Sequence, residues 1–297
     1  MSNSHTARAY LALLGGVISI AWSAIFVRWT HMPGVASAFY RVLFASLILW
    51  TFLLLKGMKL PRAGWLAFAL AAAGGAFFAG DVGLFNVAVL HTSVGSATFL
   101  SNAAPLLVGL MTWAITRQLP PRRFWIALAI ALAGVFFIVA ADARVLTSRS
   151  FADLAAILSS ICFAFYLMVT ERLRQSFSAV TLLALSTTAS TVVLLAFAAS
   201  TRTSLAVPNC TSLAALLGLA LVCQLMGYFC LTYALGHLPA TVTSLILLSA
   251  APLTAVFAFI IFAERMTLIQ LLGGALVLLG VWTVTGANRN HATSSCL

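Results

Sequence analysis

Two long apolar stretches, about half the chain apart, contain the same four residues. Residues 103–106 read Ala-Ala-Pro-Leu, and residues 250–253 repeat that sequence. At the same spacing, Arg117 near the end of the first stretch corresponds to Glu264 near the end of the second. A chain that repeats once, with a proline inside an apolar stretch of each half, is typical of a duplicated membrane protein. The working site of such a protein usually lies where the two halves meet.

The composition restricts the class of protein further. Hydrophobic residues make up 63% of the chain and charged residues only 7%, and the mean hydropathy is +1.10. A soluble core cannot use that much apolar surface, so the composition predicts an integral membrane protein. The net charge of +11 would suggest nucleic acid binding in a soluble protein. Here the Lys and Arg residues lie mostly in loops between apolar stretches, which indicates membrane orientation instead.

The apolar stretches are long enough to cross a bilayer. A membrane-spanning helix needs about 20 mostly apolar residues, and the stretches are continuously apolar and rich in Ala and Leu, which favours helices over alternating strands. The sequence therefore predicts an all-α integral membrane protein with ten transmembrane helices. The predicted spans, numbered one to ten in chain order, cover residues 9–27, 35–55, 64–89, 94–116, 124–141, 153–171, 179–199, 212–235, 240–262 and 267–285.

The Lys and Arg residues outside the spans predict the orientation. If the N-terminus is inside, the cytoplasmic side holds most of them, and the positive-inside rule then places both termini in the cytoplasm. The cytoplasmic group is Arg8, Lys56, Lys59, Arg62, Arg117, Arg122, Arg123, Arg172, Arg174 and Arg289. The outer group is Arg28, Arg144, Arg149, Arg202 and Arg265.

Five spans in each half make an odd number, so the second half enters the membrane from the opposite side. This predicts two inverted five-helix repeats, related by a pseudo-two-fold axis in the membrane plane. We assign residues 1–141 to the first repeat, 142–152 to a short linker and 153–297 to the second repeat with a short C-terminal tail.

These features resemble a known family of transporters. Ten spans, two five-helix halves, and small residues followed by Pro-Leu in spans four and nine are similar to the EamA family of the drug/metabolite transporter (DMT) superfamily. Residues 263–266, Ala-Glu-Arg-Met, match the Glu-Arg signature that closes span nine, and Arg41 matches an arginine often found near the start of span two. The first half departs from the pattern, because residues 116–119 contain no glutamate. The aromatic-rich third span and the polar fourth span are most similar to bacterial aromatic amino-acid exporters of the YddG type.

The resemblance implies a secondary transporter in the bacterial inner membrane that exports amino acids, aromatic ones favoured, or similar small metabolites. It implies a cavity lined by spans one, three, four, six, eight and nine, which opens alternately to each side. A multidrug or lipophilic-cation exporter of the same fold stays open as an alternative. A passive channel and an intramembrane enzyme are less favoured.

The expected partners are a small-molecule solute and the lipid bilayer, without nucleic acid, and the oligomeric state stays open. We expect no cofactor and no enzyme activity, because the sequence has no HExxH motif, nucleophile elbow or Walker loop. We also expect no metal site, since His91 and His237 fall at span ends on opposite sides of the membrane.

Pro105 and Pro252 are the first candidate functional residues. Each removes one helix hydrogen bond and crowds the carbonyl four residues before it, at Ser101 and Leu248. A freed carbonyl in hydrocarbon is costly unless it faces protein or a wet cavity. We expect two kinked helices that line a central path; the alternative is a pair of kinks needed only for packing.

Arg41 and Asp81 are the clear ionisable residues inside predicted spans, and such residues are functional candidates. Both fall in the outer half of the membrane at comparable depth. We expect them to form an intramembrane ion pair, or one of them to bind the charged end of a zwitterionic solute. The alternative is that Arg41 extends to the outer interface without a partner.

The remaining candidates are aromatic or polar residues of the central spans. Aromatic rings suit a solute that stacks, and an uncharged amide can both donate and accept. Alternatively, the rings face lipid and the polar groups only join helices. The full set of predicted cavity residues is Trp22, Phe78, Asp81, Phe85, Ser101, Asn102, Phe163, Tyr166, Gln224, Tyr228, Ser244 and Ser249.

Overall fold

The computed structural model describes residues 3–91, 100–140, 150–262 and 267–293, and every regular element within these ranges is helical. Residues 94–99 of predicted span four, residues 142–149 of the predicted linker, and Glu264 with Arg265 lie outside the described residues.

The helices of the first half correspond to predicted spans one to five. Span one consists of two helices, because the first helix ends just before Trp22 and a second begins just after it. The bounds are α1 Asn3–Ala21, α2 Ser23–Thr30, α3 Gly34–Leu55, α4 Trp65–His91, α5 Ala104–Thr116 and α6 Arg122–Ala140.

The helices of the second half correspond to predicted spans six to ten. Span eight contains a π-helix, Leu219–Tyr228, between two α-helical segments, and span nine consists of two helices. The bounds are α7 Ser150–Leu173, α8 Ala179–Ser200, α9 Cys210–Gly218, α10 Phe229–Leu235, α11 Ala240–Leu247, α12 Ala250–Phe262 and α13 Leu268–Thr293.

The surface of this bundle suits a bilayer. Among the described residues, seven helices are long and apolar enough to cross a membrane, and two shorter apolar helices cover Ala104–Thr116 and Leu268–Val284. Large apolar side chains are exposed, such as Leu55 at 82% and Trp65 at 81%. A soluble protein would bury such groups, whereas lipid chains cover them without cost. The chain is an integral membrane protein.

Both proline-containing spans are interrupted immediately before the proline. Turns stand at residues 102–103 and at residues 248–249, and a new helix starts at Ala104 and at Ala250. In the first turn the Ala103 N–H donates to the Leu100 carbonyl at 3.2 Å, a three-residue step in place of the helical four. Two properties of proline explain the interruption: it has no N–H to donate to the carbonyl four residues back, and its ring clashes with that carbonyl.

The most extensive helix contacts join spans of different halves. Span three packs on spans six and seven, span one on span eight, span two on span seven, and span five on span ten. Hydrogen bonds follow the same pattern: the Ser190 hydroxyl donates to the Gly75 carbonyl at 2.7 Å, and the Thr254 hydroxyl donates to the Ala21 carbonyl at 3.0 Å. The second bond provides a donor for a carbonyl at the interruption of span one.

Spans five and ten approach each other closely through glycine. A Cβ added to Gly134 would lie 2.5 Å from the Gly273 carbonyl oxygen, so no side chain fits between the two backbones. Small residues at such crossings allow close packing in membranes, where the hydrophobic effect gives little drive for association. These two spans therefore form a firmly packed pair.

Candidate functional site

A cavity of about 160 Å³ lies where the halves meet, at both interrupted spans. Its wall comes from spans one, four, six, eight and nine. Six predicted residues line it: Ser101, Asn102, Pro105, Phe163, Tyr228 and Ser244. Five further lining residues are Ile20, Ala104, Leu247, Leu248 and Ala250.

The two proline interruptions contribute directly to this wall. Ser101 and Leu248, the residues four positions before the two prolines, both line the cavity. The Ser101 hydroxyl is buried and has no hydrogen-bond partner from the protein, whereas the Ser244 hydroxyl donates to the Thr241 carbonyl at 3.1 Å. The cavity is thus mainly apolar, with a hydroxyl at Ser101 that a bound molecule can use.

Aromatic side chains from three spans stand behind the cavity. The Phe78 ring lies 4.8 Å from Tyr228 in an edge-to-face contact and 5.1 Å from Tyr166. Phe163 and Tyr166 are stacked at 6.1 Å. Phe78 and Tyr166 are 2% and 1% exposed, so these rings form a buried wall across spans three, six and eight. Such contacts stabilise the wall beyond its buried area.

Arg41 is held inside the protein next to this wall. Its Nε donates to the Gln224 side-chain oxygen at 2.8 Å, and its Nη1 donates to the Ser23 hydroxyl at 3.2 Å. The guanidinium carbon lies 5.2 Å from the centre of the Tyr228 ring, a cation–π distance. Arg41 is only 9% exposed, so it does not extend to the interface without a partner.

Asp81 has a different partner from the one predicted. The Ser159 hydroxyl donates to its Oδ1 at 2.6 Å, and Arg41 and Asp81 form no direct bridge. Depth along a helix sets only the height of a side chain, whereas the rotation of the helix decides what it faces. Here Arg41 faces span eight and Asp81 faces span six.

The π-helix of span eight supplies two of the groups around Arg41. Gln224 and Tyr228 both belong to it, and both are buried. A π-helical turn is uncommon and is frequently found at functional sites. The sequence selected Gln224 and Tyr228 as candidates, but no pattern in this segment predicts a π-helical turn.

Four further predicted site residues do not line the cavity and have packing or backbone contacts instead. Trp22 packs on Phe257 at 4.8 Å between their ring centres. Phe85 packs in an apolar cluster with alanines of spans three and six. Ser249 donates to the Ile246 carbonyl, and Pro252 faces Gly274 of span ten.

The apolar lining residues escaped sequence analysis. Ile20, Leu247 and Leu248 face the cavity, but an apolar residue that lines a cavity and one that faces lipid look the same in a sequence. Ala104 and Ala250 had a signal, since both belong to the repeated Ala-Ala-Pro-Leu sequence.

Comparison with known proteins now decides the family. The model of the EamA-like transporter family matches the chain twice, over residues 7–140 and 150–286. The chain belongs to the EamA-like transporter family. Membership indicates a transporter rather than an enzyme, and it implies a small-molecule solute and a bilayer as partners.

Two transporter relatives and one solved structure are similar to this EamA-like chain over most of its length. An uncharacterized transporter of Archaeoglobus fulgidus is 26% identical over 285 residues, which cover 94% of this chain and 97% of that protein. The uncharacterized transporter YwfM of Bacillus subtilis is 25% identical over 218 residues, 71% of each chain. A protein crystal structure with 15% identity has a TM-score of 0.82 and covers 98% of this chain and 99% of that one, which shows a shared fold.

Proposed function

We propose that this chain is a secondary transporter of the bacterial inner membrane that exports amino acids, aromatic ones favoured, or similar small metabolites. The observation that carries the proposal is the cavity between the halves, about 160 Å³ in volume and bounded by Phe163 and Tyr228. An apolar cavity of roughly 150 Å³ holds benzene. The cavity therefore suits an aromatic ring, while the rest of an amino acid needs further space.

We propose inverted repeats and alternating access as the mechanism. The pairs of spans that pack across the halves correspond when the halves are exchanged. Three with six becomes eight with one, three with seven becomes eight with two, and the pair of two and seven is unchanged. This pattern supports a two-fold relation between halves, and five spans in each half give them opposite orientations. Ten spans put both termini on one side, which the positive-inside rule makes the cytoplasm, and rocking of the halves exposes the cavity to each side in turn.

The test is solute efflux from liposomes that contain the purified protein. Vesicles loaded with radiolabelled phenylalanine should release it saturably, and other aromatic amino acids should compete, relative to protein-free vesicles. Flux that rises linearly with phenylalanine would contradict the proposal and indicate a passive channel. Absence of flux at every concentration would remove amino acids as the solute.

Export of lipophilic cations is the second candidate function. The observation that favours it is Asp81, a carboxylate inside the membrane that forms no direct bridge with Arg41. A lone anion at such depth attracts cations. Saturable release of tetraphenylphosphonium from the same vesicles, without competition by phenylalanine, would favour this candidate.

A further inference from the structure

Arg41 has a hydrogen-bond donor that no group in the described residues accepts. A guanidinium carries five N–H donors. Nε and Nη1 donate to Gln224 and Ser23, whereas Nη2 is buried and has no acceptor among the described residues. A buried charged donor without an acceptor destabilises a protein, so such a group in a native structure calls for a physical reason.

Within the described part of the chain, no anion is in direct contact with the charge of Arg41. Gln224, Ser23 and the Tyr228 ring are all neutral, and the Asp81 carboxylate is hydrogen-bonded to Ser159 instead. Buried charges in membrane proteins normally pair with an opposite charge. The whole chain has only 5 Asp and Glu residues against 16 Lys and Arg.

Tyr228 connects Arg41 to the cavity. Tyr228 lines the cavity between the halves, and the Arg41 guanidinium lies 5.2 Å from the centre of its ring. The Tyr228 side chain is thus in contact with both, and contact between Arg41 and a molecule in the cavity requires it to move.

We infer that Arg41 binds the carboxylate of the transported solute through its unused Nη2 and the adjoining guanidinium edge. The inference rests on the proposed function and adds the class of solute, a carboxylate with an apolar body. A guanidinium presents parallel N–H groups that match the two oxygens of a carboxylate. Gln224 holds the fork in orientation by accepting from Nε. Lipophilic cations, which lack an anionic group, fall outside this class.

The experiment compares three molecules that share one ring and differ in charge. Phenylalanine has a carboxylate and an ammonium, 3-phenylpropionate only the carboxylate, and phenethylamine only the ammonium. Each is titrated into detergent-purified protein while the midpoint of thermal unfolding is measured, because a ligand that binds the native state raises that midpoint. Sodium chloride is titrated in parallel, since an inorganic anion could occupy the same guanidinium.

The two carboxylates should raise the midpoint of the native chain, and phenethylamine and chloride should not. In Arg41→Gln the apparent affinity for both carboxylates should fall at least about tenfold, the effect of losing roughly one charge-assisted contact. Lys59→Gln, which removes an exposed charge, should respond like the native chain. A rise with phenethylamine equal to that with 3-phenylpropionate, an Arg41-dependent rise with chloride alone, or full carboxylate binding by Arg41→Gln would overturn the inference.

A second variant covers the case in which Arg41→Gln does not fold. Gln224→Glu places a carboxylate beside the guanidinium, so the protein should stay folded and lose its response to added carboxylates. An undiminished response in Gln224→Glu would also overturn the inference.

Efflux measurements distinguish failure of this inference from failure of the proposed function. Saturable phenylalanine export that is equal in both variants and the native chain keeps the transporter proposal and removes the role of Arg41. Arg41-dependent binding of 3-phenylpropionate without phenylalanine export keeps the role of Arg41 and removes the proposed export of amino acids.

Discussion

Arg41 and Arg174 are two partly or fully buried arginines with different surroundings. Arg174 follows the end of α7, where its Nε donates to the Thr232 carbonyl at 3.0 Å and its Nη1 donates to the Phe177 carbonyl. Burial lowers the pKa of Arg174 from its ordinary value, although a guanidinium stays charged at neutral pH. Arg41 lies deep between the halves, bonds only side chains, and retains an unused donor.

The difference indicates that the two arginines have different roles, one structural and one in solute binding. Arg174 joins a backbone carbonyl of span eight to one in the connection between spans six and seven, so its hydrogen bonds serve the fold. Arg41 is instead oriented by two side chains, Ser23 of span one and Gln224 of span eight, and bonds no backbone carbonyl among the described residues. We expect a substitution at Arg174 to change stability and one at Arg41 to change solute binding.

The largest expected effect on stability is that of Arg174→Met. The substitution keeps the apolar stem but removes both bonds to carbonyls, and hydrogen bonds to charged groups contribute about 1.5–3 kcal/mol each. The free energy of unfolding should fall by about 3 kcal/mol, measured by denaturant titration in detergent. Arg172→Met, at an exposed neighbour, should change it by less than about 1 kcal/mol. If Arg174→Met lowered solute affinity without lowering stability, the structural role assigned to Arg174 would be wrong.

The second prediction concerns Gln224→Leu, which removes the acceptor of Arg41 Nε. Stability should fall by about 2 kcal/mol, because a buried charged donor loses its partner. A bound carboxylate should recover part of that loss, so 3-phenylpropionate should raise the unfolding midpoint more in this variant than in the native chain. Gln175→Leu, on an exposed turn, is the matched control. An equal rise in both chains would contradict the prediction.

The third prediction is that Ser159→Ala lowers stability by about 1 kcal/mol, since Asp81 loses its 2.6 Å hydrogen bond to another helix. Ser160 offers a close control: it is equally buried, but its hydroxyl donates to Ile157 of its own helix. Ser160→Ala should therefore cost less in the same unfolding titration. A larger cost for Ser160→Ala would show that the bond to Asp81 contributes little.

The smallest expected effect is that of Gly236→Ala. Its new Cβ would lie 2.7 Å from Arg174 Nη2, but the end of a long side chain can shift. The loss should stay below about 1 kcal/mol and should shrink when Arg174 is already Met, because neighbouring sites couple. A double-mutant cycle measures this coupling. Gly15→Ala, where nothing lies within 4 Å of the new Cβ, should not destabilise. A cost that does not change with residue 174 would show no contact between the two.

Much of the fold follows from hydropathy, and less of the site does. Long apolar runs predict spans directly, because the bilayer sets the length of an apolar helix. The proline interruptions followed from the missing N–H of Pro105 and Pro252. The interruption at Trp22 and the π-helix did not, since each depends on contacts with other helices, such as the Thr254 bond to Ala21.

The partners of the two intramembrane charges show the same limit. Sequence spacing placed Arg41 and Asp81 at comparable depth, but the structure gives them Gln224 and Ser159. The rotation of each helix about its axis decides which neighbouring side chain a charged residue meets, and polar residues at several positions on the neighbouring helices could serve as that partner. Spacing along one helix contains no information about the rotation of the next.

The packing of spans across the two halves has a consequence for how this chain changes over generations. The two family matches, residues 7–140 and 150–286, each contain helices whose main neighbours belong to the other match. The principal contacts of each segment are with the other segment, so neither segment is a structural module that can fold independently of its counterpart. A mutation in one segment is tolerated only if the packed surface of the other segment still fits. A hybrid of one segment from this chain and the other from a related protein should therefore assemble poorly.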